Sequence, residues 1–71
     1  MSREDVMDQK SRLLHNIGMA TNEDEIDRLS ELTDEFLAEH SERLGVKEYS
    51  DSLQALRVFT WKAKHKLQEG I

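Results

Sequence analysis

The sequence predicts an all-α fold, a small three-helix antiparallel bundle of up-down-up topology, and three observations carry that expectation. There is no proline anywhere in the 71 residues, so nothing forbids helix in any interior position. Apolar residues recur at helical spacing in three stretches. Those stretches are separated by short segments holding Gly18 and Gly45 and are closed by Gly70, the pattern of helices that end in glycine. One domain spanning residues 1–71 is all the length allows, near the lower limit for a self-sufficient core. With no cysteine, neither disulfides nor thiolate zinc can supplement packing.

The first helix is expected near 3–17. Ser2 suits its N-cap, Glu4 and Asp5 suit its first turn, and Gly18 suits its end. Its apolar face is Val6, Leu13 and Ile17 with Met7 and Leu14 beside them. The run from Asp8 to Arg12 is wholly polar, so this face is the weakest of the three. The second helix is expected near 23–44, capped by Thr21 or Asn22 with Asp24 or Glu25 completing a capping box. Ile26, Leu29, Leu32, Thr33, Phe36, Leu37, His40 and Leu44 fall on one face of it. Phe36 stands near the centre of that face, and its truncation to alanine is expected to cost about 3 to 5 kcal/mol. Asp27, Glu31, Asp34, Glu35 and Glu42 gather on the opposite face, broken by Ala38.

A connector holding Val46 and Tyr49 leads to the third helix, expected near 51–69 with Ser50 or Ser52 as its cap. Leu53, Leu56, Phe59, Ala63 and Leu67 share its core face. Val58, Trp61 and His65 project from nearly the opposite side. Gln54 and Gln68 lie on the same stripe, and Arg57, Lys62, Lys64 and Lys66 flank it. A tryptophan away from the core stripe and ringed by cations is a common interface anchor. A contact surface of Trp61, Val58, His65, Arg57 and Lys62 is therefore expected, for a protein partner or for a second copy in a homodimer.

The net charge of −5 is unevenly spread. Residues 22–51 hold eleven acids against three bases, whereas residues 52–71 hold one acid against four bases. Bulk acidity disfavours direct binding to nucleic acid or to anionic lipid, both of which require a basic face. Asp27, Glu31, Asp34 and Glu35 form the next candidate surface. Like charges at i, i+4 repel, which points either to a solvated face or to a carboxylate array that docks on a basic partner. The sharper version of this alternative is an acidic, phage-type inhibitor imitating nucleic acid on a DNA- or RNA-binding enzyme.

His15, His40 and His65 stand one per helix. Up-down-up topology would put His40 at the opposite end from the other two, too far apart to share one metal. No cysteine, glycine-rich phosphate loop or HExxH motif is present, so neither catalysis nor a cofactor is expected. No basic-then-apolar leader and no apolar run of membrane-spanning length occur, and the expected location is the cytoplasm.

Three short resemblances bear on class. Asp51-Ser52-Leu53 followed by Gln54-Ala55-Leu56-Arg57 resembles the attachment segment of acyl and peptidyl carrier proteins, which implies a phosphopantetheine arm on Ser52. That family continues for two further helices, whereas 19 residues follow Ser52 here. Ser30 and Asp34, with three residues between them, resemble the short signature of sporulation aspartyl-phosphate phosphatases, which are helical hairpins. Tyr49 through Val58, Phe59, Ala63, His65, Lys66 and Leu67 to Glu69 resembles, without a gap over 21 residues, the third-helix segment of the Hha family of nucleoid-associated modulators. That likeness implies binding to an oligomeric DNA-binding silencer, although the family carries an acid where Lys64 stands. The expected function is a small non-catalytic regulatory or adaptor protein, a class frequent among bacterial and phage regulators by analogy.

Overall fold

The computed structural model describes residues 1–69 and is all-helical among them, with α1 Arg3–Met19, α2 Glu23–Glu39, α3 Ser41–Leu44 and α4 Val46–Glu69. The three long helices each pack against the other two, and α3 lies among them.

Ser2 and Asp5 start α1 with a reciprocal capping box. The Asp5 N–H donates to Ser2 Oγ at 3.2 Å, and the Ser2 N–H donates to Asp5 Oδ2 at 3.1 Å. The bond from the Ser2 backbone, followed by that with the Ser2 side chain, lowers the Asp5 pKa. Gly18 does not end the helix. It keeps a negative φ, and α1 runs on to Met19 before Ala20 turns extended and donates its N–H to the Ile17 carbonyl. Asn22 caps α2, its Oδ1 accepting from the Glu25 N–H at 2.8 Å.

The expected second helix, 23–44, divides at His40. Backbone there leaves the helical region (φ −107°, ψ 19°), and α3 supplies one further turn. His40 packs its ring on Phe36, centroids 4.7 Å apart. The break re-aims the chain so that Leu44 is buried, and Gly45, at φ 85°, turns directly into α4. A side chain at that φ would be strained, so glycine is required. The expected connector is therefore absent. Val46 and Tyr49 belong to the first turn of α4, which starts five residues before the expected boundary because nothing between Gly45 and Asp51 interrupts helix. Ser50 and Ser52 are interior helical residues and not caps. Gly70, expected to close this helix, lies outside the described residues.

The core consists of Val6, Leu14 and Ile17 from α1, Ile26 and Leu37 from α2, Leu44 from α3, and Leu56 and Ala63 from α4. Thr33 is fully buried and satisfies its hydroxyl by donating to the Leu29 carbonyl at 2.6 Å. Two residues of the expected core faces are exposed: Leu32 by 48% and Phe59 by 40%. Each helix buries a narrow stripe in so small a bundle, and both residues fall at its edge. Leu13 and Phe36 are half-buried.

The polar run Asp8–Arg12 is accommodated by an ion pair. Lys10 Nζ reaches Glu48 Oε1 at 2.9 Å, with its side chain 13% exposed, and lies 3.8 Å from Met7 Sδ. It crosses to α4 where an apolar residue would otherwise be needed. Hydrogen bonding and charge from Lys10 lower the Glu48 pKa. This pair therefore stabilises the fold above the ordinary carboxylate range, and the contribution is lost as pH falls through the lowered value.

The burial pattern moves the weight of α2 from Phe36 to Leu37. Leu37→Ala is expected to destabilise the domain by about 2 to 5 kcal/mol and Phe36→Ala by less. Urea unfolding followed by circular dichroism measures both, and the reverse order would show that the stripe is centred elsewhere.

Candidate functional site

The stripe on α4 opposite its core face is open. Trp61 is 64% exposed and Val58 41%, while His65, Arg57 and Lys62 are also exposed. The cause lies in the register of α4. Ser52, Leu56 and Ala63 face inward, which turns residues 58, 61 and 65 to the far side of the same helix. α1 does not fold across them, so the wide separation from the Leu56, Ala63 and Leu67 face leaves Trp61 uncovered.

The open stripe is ordered by its own side chains. The Trp61 and His65 rings stack at 5.0 Å with planes 6° apart. His65 Nε2 in turn lies 3.0 Å from Glu69 Oε1. Residues 61, 65 and 69 are successive i, i+4 neighbours, the spacing that brings helical side chains together. A flat aromatic held against a second ring loses less rotamer freedom when a partner covers it. Arg57 and Lys62 form no ion pair among the described residues.

The acidic surface of α2 borders this stripe. Lys64 Nζ bonds Asp27 Oδ1 at 2.7 Å, and Ser30 Oγ and Thr60 Oγ1 lie 2.7 Å apart. These two contacts hold the two helices side by side, and the α4 partners fall in number as the α2 residues rise. The Lys64 pKa is raised, chiefly by its hydrogen bond and charge interaction with Asp27 and slightly by Glu23. Asp27 is thus drawn into a structural contact, while Glu31, Asp34 and Glu35 remain exposed. The two candidate surfaces expected from sequence share one seam. Sequence reasoning missed both inter-helix ion pairs, since Lys10–Glu48 and Lys64–Asp27 join residues whose spacing carries no helical signal.

Ser52, on which the carrier resemblance rests, sits inside α4 at 1% exposure. A serine bearing a prosthetic arm must meet the enzyme that loads it. The Ser52 hydroxyl is enclosed by the core and lacks a hydrogen-bond partner among the described residues. His15 is exposed and His40 half-buried, and among the described residues no group of three His, Cys, Asp or Glu side chains is placed to hold a metal ion. None of the described helices is long and apolar enough to cross a membrane.

No protein-family model, curated protein or solved structure matches the chain.

Glu31 and Glu35 hold no hydrogen bond or ion pair among the described residues, and they repel at i, i+4. Replacing both by glutamine is expected to leave the melting temperature unchanged or slightly raised. A clear fall would reveal a structural role for this acidic face.

Proposed function

We propose that this protein is a small non-catalytic regulator or adaptor that binds a protein partner through the Trp61 stripe of α4, with the acidic side of α2 as a secondary contact. The observation that carries the reading is the exposure of Trp61 on a helix whose core stripe is already filled. A large aromatic left in water has most to gain from burial at a contact, and tryptophan is among the residues most enriched at energetic hot spots. Val58 widens the apolar centre. Arg57 and Lys62 form a polar rim of the kind that surrounds such centres.

The framework is an up-down-up arrangement of the three long helices. Support comes from the pairs Asp27–Lys64 and Ser30–Thr60, which run in opposite order along α2 and α4, and from Lys10–Glu48, which joins the first half of α1 to the start of α4. The cytoplasm is the compartment we assign, in keeping with the acidic, cysteine-free composition. Compared with the acidic-mimic alternative, the Trp61 reading is favoured by Asp27, since its engagement with Lys64 shortens the free carboxylate array to Glu31, Asp34 and Glu35.

Capture from host extract on the immobilised wild-type chain, on Trp61→Ala and on Glu31→Gln/Glu35→Gln tests the proposal. A protein retained by wild type should survive a high-salt wash, because apolar contact is little screened, and should be lost from Trp61→Ala, with about 2 kcal/mol or more of binding removed. Retention that ignores Trp61→Ala but collapses in salt or with the glutamine variant would instead support the acidic mimic.

A further inference from the structure

A trough runs between the end of α1 and the second half of α4. Its first part, about 210 Å³, is lined by Gly18, Phe59, Lys62, Ala63 and Lys66. Past Lys66 it continues into a hollow of about 470 Å³ that adds Met19, Leu67 and the Ala20–Thr21 connector. The floor is apolar and two lysines stand on the α4 rim. From Phe59 to Leu67 the trough follows about 12 Å of α4 at the rise of an α-helix.

Gly18 keeps this trough open, and nothing inside the protomer accounts for a glycine there. Its φ is negative and it lies within α1, where glycine is less favourable than alanine. A Cβ placed on it would meet nothing within 4 Å beyond its own helical backbone and chain neighbours. The missing side chain therefore serves neither a special backbone conformation nor the close approach of another helix. A group entering the trough from outside would use the space.

Charge limits what that group can be. The chain carries 15 acids, yet none lies at 9–22 or 54–68, the stretches that form the two walls. Lys62 and Lys66 are exposed, stand about one helical turn apart and form no ion pair among the described residues. Met19 and Phe59, 67% and 40% exposed, offer a thioether and a ring to an aromatic side chain. The trough is open along its outer side and so does not enclose a small ligand in the manner of a buried pocket, whereas a peptide needs to insert only one side chain. A broad anionic surface such as a membrane would also approach Glu23, Asp24 and Glu25, which open α2 just beyond Thr21.

We infer that the trough between Gly18 and Phe59–Lys66 binds a short acidic segment of a protein partner, which seats one aromatic side chain over Gly18 and sets carboxylates against Lys62 and Lys66. Lys62 stands between this surface and the Trp61 stripe, and the inference does not depend on what covers that stripe.

The test is an NMR titration of the full isotope-labelled chain with the end-blocked peptide Asp-Asp-Phe-Asp-Asp. Amide shifts should saturate and centre on Gly18, Met19, Phe59 and Lys66. Replacing the peptide's phenylalanine by alanine should weaken binding about tenfold or more, as expected for a buried aromatic anchor. Lys66→Glu should weaken it severalfold. Gly18→Leu should abolish saturation while circular dichroism shows helicity held or raised, since the backbone there suits any residue. Trp61→Ala should bind the peptide as wild type does. A spectrum that does not respond to the peptide, or a response unchanged by both Gly18→Leu and Lys66→Glu, overturns the inference. So does binding to phosphatidylglycerol vesicles that these two variants abolish while the peptide goes unbound, which would make the occupant a lipid surface. A response centred on Trp61 and lost in Trp61→Ala also overturns it, and supports the stripe as the contact surface instead.

Discussion

A narrow core is the constraint on which the rest of this structure depends. Eight buried apolar residues, from Val6 to Ala63, form the interior, and α4 contributes only Leu56 and Ala63 to them across its 24 residues. With so little apolar surface available, each helix can have one stripe covered by its neighbours. The remaining circumference faces water whatever residues it bears. Trp61, Val58, Phe59 and Leu32 are exposed for this common reason, and among them Trp61 and Val58 share a stripe centred well away from the core.

Polar contacts do the aligning that a larger core would do by shape. Lys10–Glu48 closes the polar stretch of α1 against α4, while Lys64–Asp27 and Ser30–Thr60 hold α2 against α4. The Glu48 and Lys64 pKa values move in opposite directions, Glu48 down and Lys64 up. Both pairs are accordingly intact between the carboxylate and lysine ranges. The Glu48 contribution is lost in acid and the Lys64 contribution as pH rises through its raised value. The Lys64–Asp27 pair is well exposed, and solvent screening keeps its share small. Its greater importance is geometric, because it sets the acidic surface of α2 beside the aromatic stripe of α4.

Much of this organisation is readable in the chain alone. The Ser2 and Asn22 caps follow from local chemistry, and the exposure of Trp61 follows from its angular distance from Leu56, Ala63 and Leu67. Where sequence reasoning failed, tertiary demands decided. Nothing local marks His40 as a helix break, which serves to bury Leu44. Gly18 has the chemistry of a helix stop but is helical, whereas Gly45 uses its positive φ. Ser50 and Ser52 have cap chemistry, yet no breaker precedes them, so helix begins at Val46. Leu32, Phe36 and Phe59 look central on a wheel and are peripheral in space, since periodicity gives a face without its width. The inter-helix ion pairs require knowledge of register that spacing within one helix does not contain.

The central claim is that the folded protomer completes its core without Trp61, leaving that ring free for contact. As the only tryptophan in the chain, it can be read directly by fluorescence at a dilution where the protein is monomeric and circular dichroism shows full helicity. The account predicts a red-shifted emission, near that of the urea-unfolded chain and readily quenched by acrylamide. A blue-shifted, protected emission from the dilute native monomer would place Trp61 in the core and contradict it.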